Sequence, residues 1–349
     1  MGSYLRQLVV LSSVAAKRQK FELLAASCLM PLSLGLSEPA LAQTFTFPAG
    51  NYPTGIGVNN PGAPTNVILD PGVQVFVTPG TINQAVAIST GTAPGTGAPA
   101  TLTANNAAVN ISGGDLVSAL FLHPILGNAT ITASGIMNVA GTGNTNAIWA
   151  AVFSSVPGAV ASVTYTGSAA PGIIDINATG GSNSTVIQAC ANSGCGFGSG
   201  PDGNAIINAT GNLTGVFGNS GFGLTAPAAG NGTSTVHYNG GTINLTAGSF
   251  SNGIFASAAS STINASNTTI IVSATGRGAS GAETFAGSGA TQANVASTIQ
   301  TTGPAIPPAN DFRFQPAGIR LQSNWGQPRL PTPAPALRSR VGAASASLP

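Results

Sequence analysis

Few side chains in this chain are equipped for chemistry. Cys190 and Cys195 enclose Ala191-Asn192-Ser193-Gly194. That spacing across a turn-forming stretch suits a small-loop disulfide in a chain exposed to an oxidising compartment. Two free, buried thiols are the alternative. Neither a further cysteine nor a histidine pair stands nearby to complete a tetrahedral shell, so no metal ligand is assigned. Between Gln43 and Gly276 the acids are Asp70, Asp115, Asp175 and Asp202, and the histidines are His123 and His237. Hydrolysis or elimination on a polysaccharide needs paired carboxylates, or a carboxylate beside a cation. From Phe21 to Gly276 there is no lysine or arginine at all. No catalytic and no cofactor-binding residue is therefore expected, and no cofactor.

The remaining candidates have plainer readings. Asp175 stands between Ile174 and Ile176, so strand alternation turns it outward to solvent. His237 follows Val236 on an alternating segment and is expected as a surface or ladder histidine rather than a triad member. Gly218-Asn219-Ser220-Gly221 approaches a nucleophile elbow, but Phe222 occupies the position that needs glycine, which leaves a turn. Gly200-Pro201-Asp202-Gly203-Asn204 resembles a calcium-binding repeat but occurs once, and a β-turn accounts for it. The sequons at Asn128, Asn177, Asn208 and Asn244 follow from an Asn/Thr-rich composition, and no glycan is expected there. Trp149, Phe217 and Phe255 take equivalent places after a repeated turn; their apolar neighbours favour a core stack over an exposed sugar-stacking stripe.

These residues must be positioned by short strands. Asn177-Ala178-Thr179-Gly180 recurs as Asn208-Ala209-Thr210-Gly211, each after an isoleucine and each leading to an apolar pair, Val186-Ile187 and Val216-Phe217. Looser copies begin at Asn110, Asn138, Asn244 and Ser273, so the anchors lie 28, 39, 31, 36 and 29 residues apart. A drifting period in that range predicts stacked coils with loops of varying length. Ser162–Gly167 and Thr235–Gly240 alternate apolar or β-branched residues with polar ones, and Gly, Asn or Pro-Gly closes nearly every run. No helical periodicity persists after Gln43. The class is all-β, a solenoid of parallel strands, with an antiparallel sandwich as the rival. One coil cannot offset the entropy of ordering itself, so the coils must stack to bury their aliphatic faces.

Composition adds an address. Charged residues make up 5% of the chain, where an ordinary globular protein carries about 25%. Arg6, Lys17, Arg18 and Lys20 precede an apolar run from Leu23 to Leu36, and Ala40-Leu41-Ala42 follows. This reads as a secretory signal peptide over 1–42, cut between Ala42 and Gln43. Pro31, Gly35 and Glu38 interrupt the run too often for a membrane-spanning helix. Lipid attachment at Cys28 fits less well, since the apolar stretch continues past it. Cleavage leaves Arg277, Arg313, Arg320, Arg329, Arg338 and Arg340 against Asp70, Asp115, Asp175, Asp202, Glu283 and Asp311, a net charge of zero. A neutral chain with its cations at one end is a poor partner for nucleic acid. The solenoid is expected over 43–300. Residues 301–349 form a tail rich in proline and arginine, irregular in expectation, with Gly318–Leu321 as a remnant strand.

The basic-then-apolar leader, the Ile-Asn-Ala-Thr-Gly units and Gly253-Ile254-Phe255-Ala256 together make residues 1–290 resemble the passenger region of a type V secretion autotransporter of Gram-negative bacteria. The resemblance implies a right-handed parallel β-helix, exported through the inner membrane to the cell surface, the outer membrane or the medium. It also implies a part in adhesion or other cell-surface interaction with glycans or proteins. Its partner would be an outer-membrane translocator barrel, which is expected on another polypeptide or beyond a truncation or frame change. A secreted carbohydrate-active β-helix enzyme and a non-functional passenger fragment are the alternatives.

Overall fold

The computed structural model describes residues 41–77, 83–91, 98–124, 126–153, 157–191, 202–276 and 278–303, with the strands Ile319–Arg320 and Leu337–Val341. By its contacts the chain divides into two units, Met1–Leu41 and Ala42–Pro349. Of the residues read as a signal peptide, 1–42, Leu41 in the first unit and Ala42 in the second are described and the rest lie outside the described residues; everything below concerns the second unit.

Each coil of that unit lays one strand on each of three faces. The first face runs through Gln43–Phe47, Thr65–Leu69, Ala100–Ala104, Ala129–Ser134, Ala159–Thr166 and Gly203–Thr210. The second runs through Gly50–Asn51, Val73–Val77, Ala108–Gly113, Met137–Gly141, Ile176–Gly180 and Leu213–Phe217. In the last coils Thr233–Ala247, Ser260–Ala274 and Thr291–Thr302 are single long strands that serve both faces and join them into one 15-stranded sheet. The third face holds Ile56–Asn59, Gln84–Ser89, Val117–His123, Thr145–Val152, Ser184–Ala191, Ser220–Pro227, Phe250–Ala258 and Gly278–Ala286. Every pairing among these strands is parallel and joins one coil to the next, so the unit is a parallel β-helix.

The alternation of the sequence supplies an inward column on each face. On the first, Val67, Leu102, Ile131, Val163, Ile207, Val236 and Ile263 stack in register and are essentially sealed from solvent. On the second, Val109, Met137, Ile176, Leu213, Ile243 and Ile270 do the same. On the third, two consecutive residues enter the core in each coil: Ala147-Ile148, Val186-Ile187, Gly223-Leu224 and Gly253-Ile254 share register with one another. A Cβ on Gly223 or Gly253 would strike the second-face aliphatics Ile243 or Ile270 at 2.9 and 2.5 Å. The small residue therefore lets the strand bend over the far wall, and the larger one fills the centre.

At the corner between the first and second faces the inward column reads Ala133, Tyr165, Ala209, Tyr238 and Ala265. Large and small side chains alternate from coil to coil and fill a fixed spacing without overlap. Both tyrosines are fully buried, and their hydroxyls donate to the carbonyls of Gly135 (2.7 Å) and Gly211 (2.6 Å). Burial raises both phenol pKa values, and the nearby charge of Asp175 adds to it. Gly135 and Gly211 themselves have φ of 105° and 112°, which only glycine adopts without strain, and each lies against the backbone of the coil below.

The repeat register differs from the one read along the sequence. Asn110, Asn138 and Asn177 do stand in one outward column of the second face, but the next members are Thr214, Asn244 and Ile271. Asn208 belongs to the first face, paired with Thr164 and His237, and Ser273 sits two residues beyond its column. Both faces end their strands with Ile-Asn-Ala-Thr before a glycine corner, so local likeness matched two different corners of the same triangle. The remnant strand expected near Gly318 is present as Ile319–Arg320, and a second tail strand, Leu337–Val341, pairs antiparallel with Gly278–Ala286.

Candidate binding faces

The outer surfaces of the three faces carry whatever this fold presents to a partner. On the first face the outward column passes from Thr103, Thr132 and Thr164 to Asn208, His237, Asn264 and Asn294. Asn294 Nδ2 donates to Asn264 Oδ1 at 2.7 Å, and Asn264 Nδ2 lies 3.2 Å from His237 Nδ1. His237 is thus a rung of an amide ladder, as the sequence indicates. Similar side-chain bonds join Thr101 to Asn66 (2.6 Å) and Ser273 to Thr246 (3.0 Å). Strands in register stand about 4.8 Å apart, so identical polar groups on neighbouring coils come within hydrogen-bonding reach without any ion pair.

Asp175 departs from the expectation of a solvated face. It is 3% exposed and sits at the corner between the first and second faces. Its carboxylate accepts the backbone N–H of Ser168 (2.8 Å), of Ala169 (3.4 Å) and of Asn212 in the next coil (2.6 Å). The alternation argument failed because Ile173 and Ile174 lie in a loop and are about half exposed, while the strand begins only at Ile176. Gly167 and Gly211 make the space: a Cβ on either would come within 2.8 Å of Asp175 Oδ2. Asp202 plays a smaller version of this part, accepting the backbone N–H of Asn231 at 2.8 Å. Asn128 and Asn204 cap the next coil likewise, through the N–H groups of Val160 (2.9 Å) and Thr233 (3.0 Å).

The outer side of the third face is aromatic. Phe121 and Trp149 share a column with Gln188, Thr225 and Phe255. The Phe121 and Trp149 rings lie 4.8 Å apart, and His123 packs against Phe121 (5.7 Å) and edge-on against Phe153 (4.5 Å). Higher up, Phe222 meets Phe255 (5.8 Å) and Phe250 (6.2 Å). The core stack expected of Trp149, Phe217 and Phe255 is therefore not formed. Phe217 lies on the second face and joins the core, whereas Trp149 and Phe255 turn away from it. Trp149 is nonetheless 7% exposed, and its indole N–H has no hydrogen-bond acceptor among the described residues. Burial lowers the His123 pKa. The signal overlooked in the sequence is the position following each small-plus-aliphatic pair, where Phe121, Trp149 and Phe255 all fall.

Cys190 is fully buried on this same outer side, in register with Ala151, and is disulfide-bonded. Cys195 lies outside the described residues. Ala42 and Gln43 are exposed, and the first strand begins at Gln43. Gly218-Asn219 forms the turn from the second face to the third, with the Asn219 carbonyl accepting the N–H of Ser249 at 2.8 Å. Among the described residues no cluster of three His, Cys, Asp or Glu side chains could hold a metal ion, and no helix is long and apolar enough to cross a membrane. No family model, curated protein or solved structure matches this chain.

Proposed function

We propose that this chain is an exported, non-catalytic β-helical surface protein of the kind that autotransporter passengers represent, acting in adhesion or cell-surface contact. The observation that carries the reading is the character of the exterior. Two faces present uncharged amide and hydroxyl ladders, and the third carries a cluster of half-buried aromatic rings, with Trp149 buried among them, outside the core. Such surfaces suit neutral glycans and polar protein surfaces, whose hydroxyls meet the ladders and whose apolar ring faces meet the aromatics. The deeply buried Asp175 and the turn residue Asp202 are engaged by backbone N–H groups, which supports a structural rather than an acid–base use of each.

The finer parts of the reading follow from it. The coils wind right-handed, as parallel crossovers between twisted strands do. Residues 1–42 direct export and are removed before Gln43, Cys195 is the partner of Cys190, and an outer-membrane translocator receives the chain. The test is direct: purified mature protein is offered immobilised neutral and acidic glycans and surface proteins, with a parallel assay for polysaccharide cleavage. Binding without product, weakened by Phe255→Ala, is expected. Reducing-end or unsaturated product that disappears in Asp202→Asn would instead establish a carbohydrate-active enzyme.

A further inference from the structure

The outer side of the first face carries a regular lattice of hydroxyl groups. Ala100–Ala104, Ala129–Ser134 and Ala159–Thr166 pair in unbroken parallel register. Each alternates hydroxyl and aliphatic residues: Thr101-Leu102-Thr103, Thr130-Ile131-Thr132 and Ser162-Val163-Thr164. Leu102, Ile131 and Val163 are sealed in the core, so the six hydroxyl residues face outward, and each is exposed or half-buried. The register sets Thr101, Thr130 and Ser162 in one column and Thr103, Thr132 and Thr164 in a second. Neighbours within a column stand about 4.8 Å apart, and neighbours along a strand are two steps of about 3.3 Å, hence about 6.6 Å, apart. The result is a flat two-dimensional grid.

The grid is rigid, because β-branched threonine has few χ1 choices and the ladders fix the backbone beneath it. It is also uncharged. No first-face strand from Gln43–Phe47 to Gly203–Thr210 contains a charged residue, so no ionic group imposes a hydration shell of its own. A long amide spans the gap between coils, as Asn294 does to Asn264, whereas short hydroxyls stepped by the strand spacing stay beyond direct reach of one another and are bridged by water. At the lower edge Thr101 instead donates to Asn66 Oδ1 (2.6 Å), which closes the grid there. Water held between the hydroxyls inherits both spacings of the grid, and the oxygen atoms on a prism face of ice repeat at closely similar intervals in two perpendicular directions. We propose that this grid is an ice-binding site, with the waters bridging its hydroxyls joining the crystal surface as part of its lattice. The side chains are already ordered, so little entropy is lost when the rigid crystal is met. The second face lacks this order, since its outward positions mix Asn138 and Asn177 with the exposed apolar Phe76 and Val216. The ligand is a solid and not one of the molecular partners named above, so the two readings stand or fall separately.

Two readouts test this on the purified protein: the fraction taken into a slowly growing ice hemisphere, and the coarsening of ice grains during annealing. Serum albumin, which growing ice excludes, sets the baseline. Wild-type protein is expected to enter the ice and to slow coarsening. Thr132→Tyr puts a ring at the middle of the grid, at an exposed position, and is expected to bring both readouts to the albumin level with the melting transition unchanged. Thr130→Lys, beside it in the other column, is expected to do the same by adding a charge. Asn138→Tyr, exposed on the second face of the same coil, is expected to leave both readouts at the wild-type level. Exclusion of the wild-type protein from ice would overturn the proposal. So would ice uptake that survives Thr132→Tyr and Thr130→Lys, or that is lost equally in Asn138→Tyr. Ice uptake without binding to any immobilised glycan or protein would uphold the grid and count against the adhesive reading alone.

Discussion

Removing the carboxylate of Asp175 probes how coils are tied at a corner. Two of its three bonds are short, from Ser168 N–H at 2.8 Å and Asn212 N–H at 2.6 Å, and the third, from Ala169 at 3.4 Å, is weak. Hydrogen bonds to a charged group contribute about 1.5–3 kcal/mol each. Ser168 and Ala169 lie in a partly exposed loop where water replaces the lost acceptor, so their share is reduced. The N–H of Asn212 lies between coils and keeps most of its penalty. Asp175→Ala is accordingly expected to destabilise by about 3–4 kcal/mol. Asp175→Asn keeps one acceptor oxygen but turns an amide N–H₂ toward backbone donors, and about 2 kcal/mol is expected. Urea unfolding followed by circular dichroism gives the totals, and amide hydrogen exchange at Ser168 and Asn212 locates the effect, which matters because stacked coils can open separately. A loss below about 0.5 kcal/mol for Asp175→Ala, with exchange at Asn212 unchanged, would refute the claim that this buried acid is a structural pin.

Further outcomes follow from the same geometry. Gly135→Ala is expected to cost at least about 3 kcal/mol, because φ is 105° and the new Cβ would lie 2.7 Å from the Ala107 nitrogen. Gly158→Ala, at φ 78° with open space around it, is expected to cost only about 1–2 kcal/mol; melting curves of the two variants give the comparison. For His123, burial holds the folded-state pKa below 6.5, so the unfolded chain binds the proton first. Stability should be complete above pH 6.5 and decline as pH falls below it, until the folded ring also protonates; His123→Phe should flatten that stretch of the stability–pH curve. Tyr165 and Tyr238 have raised pKa values from burial, so stability should fall as pH rises above 10, less steeply in Tyr238→Phe. Reduction of the disulfide at Cys190 should cost about 2 kcal/mol for a loop as short as Cys190–Cys195, and peptide mapping of unreduced protein identifies the partner.

Much of the architecture was legible because a solenoid repeats one rule. Alternation over Ser162–Gly167 and Thr235–Gly240, glycine at corners and a period near thirty residues all follow from a coil that must turn sharply and bury one side of each strand. Those features are local, and the sequence by itself determines the strands, the turns, the stacking of coils and the poverty of ionisable groups.

What the tertiary structure decided is which corner, which face and which side. Asn177 and Asn208 have the same neighbours in sequence yet occupy different faces, because two corners of the coil make the same demand on the backbone. Asp175 reads as outward by alternation, but a corner breaks the alternation and brings Ser168 and Asn212 to its carboxylate from two directions. Trp149 and Phe255 read as core, yet the paired inward residues before them reverse the parity of the third-face strand and turn both rings outside. Period two carries no absolute phase, and a single bend shifts every side chain beyond it to the opposite surface.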